Sequence, residues 1–161
     1  MSIAEILETV EALEGSLVLA PDEGSGSPEI AWGDYFFYYS PDGEVPPHAQ
    51  PFATIVTKDY PDDTRSDLDP EGRWRVNIHV GRDGFHELTG QDPHKFSWTD
   101  FATADAVMPH PVYGSLGWVS IVNPAERTMA TVKELLRQAY EDARARADRR
   151  SGIGSTGRSG E

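Results

Sequence analysis

"RWRVNIHV", Arg73 to Val80, decides the fold class. It alternates without a break, so Trp74, Val76, Ile78 and Val80 share one face of a strand while Arg73, Arg75, Asn77 and His79 share the other. A strand with one apolar and one polar face belongs to an antiparallel sheet packed on one side only. The segments on either side agree. Upstream, "SLVLA" reads as a short strand, and the aromatic run in "IAWGDYFFYY" is β-prone and stops at the turn Ser40-Pro41-Asp42-Gly43. "PFATIVTKDY", Pro51 to Tyr60, resumes as a strand and carries Lys58 at its end. Downstream, "RDGFHELTG" reads as a short helix closed by Gly90, and Gln91 to Phe101 as an irregular loop that folds Phe96 and Trp98 onto the core. "SLGWVSIVNP" is the last strand.

Helices close both ends. Ser2 and Glu5 form a capping box before the stripe Ile3, Ile6, Leu7, Val10 and Leu13, and Gly15 ends that helix. From about Thr128, Val132, Leu135, Leu136, Ala139, Tyr140, Ala143 and Ala147 recur at helical spacing. The order predicts an α+β protein: an antiparallel sheet with an N-terminal helix and a long C-terminal helix packed on one face. Residues 1–148 read as one domain, and the Gly/Ser-rich stretch 149–161 as a disordered tail. The free face of the sheet is then where Arg75, Asn77 and His79 sit.

Charge narrows the function. Residues 1–126 carry 22 acidic and 6 basic side chains, and 127–161 carry 5 acidic and 8 basic, within a net charge of -13. Such a field repels phosphate backbones, so no nucleic-acid partner is expected. Cysteine is absent, which removes disulfides and thiolate chemistry and fits a cytoplasmic setting. No apolar run approaches the roughly 20 residues needed to span a bilayer, so no membrane association is expected. No phosphate loop, G-x-S-x-G elbow or Rossmann fingerprint is present, and no cofactor is expected.

Two features point to a site. In "MPHPVYG" His110 stands between Pro109 and Pro111, which fix its backbone at low entropic cost, as a preorganised hydrogen-bonding group requires. A rigid turn that aims the next strand explains the same residues. His79 shares its strand face with Arg75 and Asn77, and polar side chains in alternation face water, each other or a ligand. A pocket joining that face to the His110 loop would use Arg75, Asn77, His79, His110, Tyr113, Trp118 and Lys58, with Asp105 and Asn123 near its ends. In that pocket Arg75 pairs with an anionic group, and Trp118 or Tyr39 supplies an apolar wall. Of the run "YFFYY", Phe36 and Tyr38 or their neighbours read as core, leaving the other rings to wall a pocket. A metal set of His79, His110 and Asp105 is a weaker alternative, since no H-x-H or H-x-x-x-H spacing is present.

The segments "GDYFFYYSPDG", "QPFATIVTKDY", "WRVNIHVGR" and "DAVMPHPVYGSLGWVSIVNP", with the terminal helix, resemble an uncharacterised family of small actinobacterial proteins over Ser2 to Ala147. The order of "PFATIVTKD", "GWVSIVNP" and "VKELLRQAYEDA" is also similar to YjbR/MmcQ-type domains, a resemblance that places Lys58, Trp118 and Tyr140 at the recurring Lys, Trp and Tyr. The first family brings no activity with it. The residues themselves favour a small-molecule binding module, monomeric or homodimeric. An enzyme using His110, with His79, as acid, base or metal ligand is the alternative, and an acidic protein-interaction module a third.

Overall fold

In the computed structural model, which describes residues 2–156, there are eleven elements, among which the expected helices and strands keep their order. They are the helix α1 (Ile3–Glu11), strands β1 (Ser16–Leu19), β2 (Tyr35–Tyr39), β3 (Ala53–Val56) and β4 (Arg75–His79), helix α2 (Gly81–Thr89), strands β5 (Met108–Pro109) and β6 (Trp118–Val122), and helix α3 (Met129–Thr156), with single 3-10 turns at Glu29–Ala31 and Gly114–Leu116. The strands make one six-stranded sheet in the order β1-β2-β3-β4-β6-β5, every neighbour antiparallel. The fold is therefore α+β, as the alternation and the two terminal helices require.

One face of the sheet is core. Ala53 and Ile55 of β3 lie opposite Ile78 and Val76 of β4, which lie opposite Val119 and Ile121 of β6. These join Ile6 and Val10 of α1, Val132 and Leu136 of α3, and Phe85 of α2 in one buried cluster. The Ser2 hydroxyl caps α1 by accepting from the Glu5 amide at 3.3 Å, and Gly90 ends α2 in the left-handed region at φ 75°. α3 runs to Thr156, into the stretch read as a tail; the remainder of that expectation, 157–161, lies outside the described residues.

Three details go beyond the sequence reading. The segment before His110, given no element in the sequence reading, forms the short edge strand β5 on β6. In β2 the buried ring is Phe37, opposite Ala53; Phe36 and Tyr38 lie on the other face, because the register pairs Phe36 with Thr54. That second face is also partly roofed: Val56, Leu68, Phe101, Met108 and Val122 make a smaller buried cluster where the loops 57–74 and 96–107 fold over it.

Gly117 fixes where β6 begins. Its carbonyl accepts from the amides of Val80 and Gly81 at 2.9 and 3.1 Å, its φ is 86°, and a Cβ there would meet the Gly81 backbone at 3.0 Å. Gly43 has a similar φ of 78° but nothing within 4 Å of a Cβ. Gly117→Ala is therefore expected to destabilise by about 2–4 kcal/mol and Gly43→Ala by about 1; urea unfolding of the two variants checks the difference, and equal losses would mean that the backbone contact at Gly117 carries no weight.

Candidate functional site

The polar face of β4 is where the sequence placed it, but it is not open to water. Arg75 is 1% exposed and Asn77 2%, while only His79, at the strand end, is partly exposed. A guanidinium removed from water must have its charge matched and its donors satisfied, or the fold loses several kcal/mol. The loop after β3 supplies the charge and most of the acceptors. Asp63 takes Arg75 in a two-pronged pair, Nη1 to Oδ1 at 3.0 Å and Nη2 to Oδ2 at 2.6 Å. Ser66 Oγ accepts from Nη1 at 3.0 Å, and Asn77 Oδ1 from Nε at 2.7 Å. The anionic partner expected from a ligand is thus already present in the chain.

That loop is held by its own carboxylates and by Arg73. Asp59 Oδ1 accepts from the Leu68 amide at 2.8 Å and Asp69 Oδ1 from the Asp59 amide at 2.9 Å. Arg73 donates to the carbonyls of Ser66, Asp67 and Ala102 at 2.6 to 2.9 Å. Burial pushes Asp63 up, but the hydrogen bonds and charge of Arg75 outweigh it and leave the carboxyl below the ordinary range.

From Arg75 the polar contacts spread across the strands in register. Thr54, Asn77 and Ser120 are direct cross-strand neighbours. The Ser120 hydroxyl donates to Asn77 Oδ1 at 2.8 Å, and Asn77 Nδ2 donates to Thr54 Oγ1 at 2.9 Å. Asn77 Oδ1 then accepts twice, and the row is tied together. His110, 3% exposed, completes it: its Nε2 lies 3.3 Å from Arg75 Nη2.

The question raised by the two prolines has a structural answer. With Pro111 next in the chain, the backbone turns so that the amides of Val112 and Tyr113 both donate to His110 Nδ1 at 3.0 Å. Nδ1 is an acceptor twice over, so the proton of the neutral ring is on Nε2. Burial, and after it the Arg75 charge, push His110 down to about 3 against a weaker pull from Asp63. The ring is neutral at pH 7 and has no free lone pair to take a proton. The expected general-base role of His110 does not fit this geometry.

Above this floor lies a cavity of about 620 Å³. Arg75, Asn77, Thr54, Asp63 and His110 line its polar side, and Phe36, Tyr38, Tyr60, Val112, Tyr113 and Trp118 are among its walls. Leu116, 64% exposed, stands at its edge with Val112 and Tyr113, which are also exposed. The combination of an apolar concavity and a few convergent polar groups is that of a small-molecule site.

Four of the expected residues line this cavity with Arg75: Asn77, His110, Tyr113 and Trp118. His79 does not. It packs on Trp118, ring centroids 5.6 Å apart, and faces a second cleft of about 370 Å³ with His48, Arg146 and Arg150. Burial lowers its pKa, with the Arg146 charge adding to it. Lys58 is turned away to Asp34, 2.9 Å, and to the Trp32 carbonyl, 2.8 Å. Asp34 is fully buried and also accepts from Thr57 and the Tyr60 hydroxyl, so Lys58 belongs to a clamp behind the cavity wall. Tyr39 packs edge-on against Tyr140 and lines only the second cleft.

Asp105 and Asn123 have structural tasks. Asp105 accepts from the amides of Ala125, Arg127 and Thr128 and from the Thr128 hydroxyl, at the entry to α3. Asn123 ties to Trp74 and Gly72. Among the described residues no three His, Asp or Glu side chains come together to hold a metal ion, so the set His79, His110 and Asp105 is not assembled. The sequence reading missed Asp63, Ser66, Thr54 and Ser120. Ser120 and Thr54 did carry a signal: each is a polar residue inside an otherwise apolar strand.

The molecule is thus a small α+β protein with a preformed cavity on the sheet face opposite its terminal helices. The chain belongs to a family of unknown function, DUF6194, whose model matches residues 1–152. No curated protein and no solved structure matches it. No helix among the described residues is long and apolar enough to cross a membrane.

Because His110 is neutral when folded and titrates near its ordinary value of 6.5 when unfolded, the unfolded chain binds the extra proton as pH falls below 6.5. Stability is then expected to fall between pH 6.5 and about 3, by at most ~1.4 kcal/mol per pH unit from this residue. The lowered Asp63 adds its own loss only beneath the ordinary carboxylate range. Chemical unfolding from pH 7 to 4 is the check: His110→Gln should show a shallower decline than the parent, and an identical slope would mean that His110 is charged in the fold.

Proposed function

We propose that the protein is a binding module for a small, partly polar molecule, held in the cavity between the aromatic walls and the Arg75, Asn77 and His110 floor. One observation carries the reading: a full guanidinium, buried, and its neutralising carboxylate, partly buried, lie beside a cavity of about 620 Å³ that the surrounding rings leave unfilled. A chain selected for stability alone is served as well by apolar residues at such a pair. Buried polar groups facing a concavity give orientation to whatever enters it.

Arg75 in this reading positions the floor instead of pairing with an anion. Trp118, Phe36 and Tyr38 give apolar contact, and Tyr113 and Leu116 border the entrance. The protein is taken to act as one unit over 1–148, in the cytoplasm, as monomer or homodimer. Its fold is taken as YjbR-like on the order of its strands and closing helix.

The test is a thermal-shift screen of the full chain against a library of uncharged and charged metabolites, run in parallel on Val112→Trp, which places a bulky ring at the entrance. A ligand at a hundredfold its Kd adds about 2.7 kcal/mol to the native state, which is about 5–10 °C in Tm for a chain of this size. The expected result is a shift in the parent that Val112→Trp abolishes while keeping its own Tm within a few degrees. Equal shifts in both proteins would place binding elsewhere, and no shift with any compound would overturn the reading.

A further inference from the structure

The floor of the cavity contains two hydrogen-bond donors facing each other. Nδ1 of His110 is taken up by two backbone amides, so Nε2 carries the ring proton; yet its neighbour, 3.3 Å away, is Nη2 of Arg75, which has only donors. The two nitrogens cannot bond to each other. Four of the five guanidinium N–H groups are used: Nε on Asn77, both of Nη1 on Asp63 and Ser66, and one of Nη2 on Asp63. One Nη2–H is left, and among the described residues no oxygen accepts from His110 Nε2. Both residues are almost wholly buried and both line the cavity. Two buried, unmatched donors at one point are expensive unless a single acceptor serves both.

We propose that the cavity takes an uncharged ligand bearing a carbonyl oxygen, seated between Arg75 Nη2–H and His110 Nε2–H with its apolar body against Phe36, Tyr38 and Trp118; the proposal rests on the cavity being a ligand site. A carbonyl oxygen has two lone pairs and no proton, which matches two converging donors. An ammonium head would bring a third donor to the same point. A carboxylate matches the donors but not the charge, because Asp63 already neutralises Arg75, Asp62 also lines the cavity, and the chain as a whole carries -13.

The experiment uses four probes on one ring: acetophenone, benzoate, benzylamine and toluene. Uniformly 15N-labelled full chain is titrated with each at pH 7, following the His110 ring nitrogens and the Trp118 indole N–H by NMR. Without any probe, Nε2 is expected to be protonated and Nδ1 not; a proton on Nδ1 would overturn the proposal before any ligand is added. Acetophenone is expected to shift both the His110 Nε2 and the Trp118 signals, and to bind about tenfold more tightly than the other three. Benzoate, benzylamine or toluene binding as well as acetophenone, with both the His110 and the Trp118 signals shifted, would overturn the carbonyl assignment and leave the cavity as a site. No Trp118 shift with any probe would overturn both.

Discussion

Arg75 sits in the middle of a sheet with 1% of its surface exposed, and the arrangement around it follows from that burial. Its position on β4 is set by alternation: the strand must give Val76 and Ile78 to the helices, so Arg75 and Asn77 face the other way. A charge in that place is tolerable only if a carboxylate meets it and nearly all of its donors find acceptors. Asp63 and Ser66 do so from a loop, Asn77 from the same strand, and Ser120 and Thr54 complete the row through Asn77.

The same constraint explains why the second face is divided. Where side chains are apolar, at Val56, Met108 and Val122, the loops carrying Leu68 and Phe101 fold down and make a second small core. Where they are polar, an apolar cover would strand their remaining donors, and a cavity remains between the two aromatic residues of β2 and the loop after β5. His110 marks the boundary. Its backbone pairs with β6 through Trp118, its Nδ1 organises the following turn, and its Nε2 lies beside Arg75, with which it lines the cavity.

Much of this fold is legible in the sequence, because it depends on periods and caps that act locally. The alternation of Arg73 to Val80, the stripe from Ile3 to Leu13 and the spacing of Val132 to Ala147 each specify an element and its buried side. Which strand neighbours which is another matter. Phe36 and Phe37 differ in burial only because the register sets Phe37 opposite Ala53 and Phe36 opposite Thr54, and a run of five aromatics contains no such choice. Among the site residues, Asn77, His110 and Trp118 are found from strand face and proline spacing. Asp63 is not, since five aspartates lie between Asp59 and Asp69 and only the folded loop turns that one inward. Lys58 fails for the complementary reason: nothing in "VTKDY" indicates that Asp34, far away in sequence, will draw it behind the cavity.

The most direct test is a double-mutant cycle on the Arg75–Asp63 pair, read by urea unfolding of the parent, Asp63→Leu, Arg75→Met and the double variant. Removing one partner strands a buried charge or its acceptors, and Asp63→Leu is expected to cost about 3–5 kcal/mol. The double variant should be more stable than Asp63→Leu, with a coupling of at least ~2 kcal/mol. If the two losses instead add to within about 0.5 kcal/mol, the pair is not the centre on which the sheet face and its cavity are built.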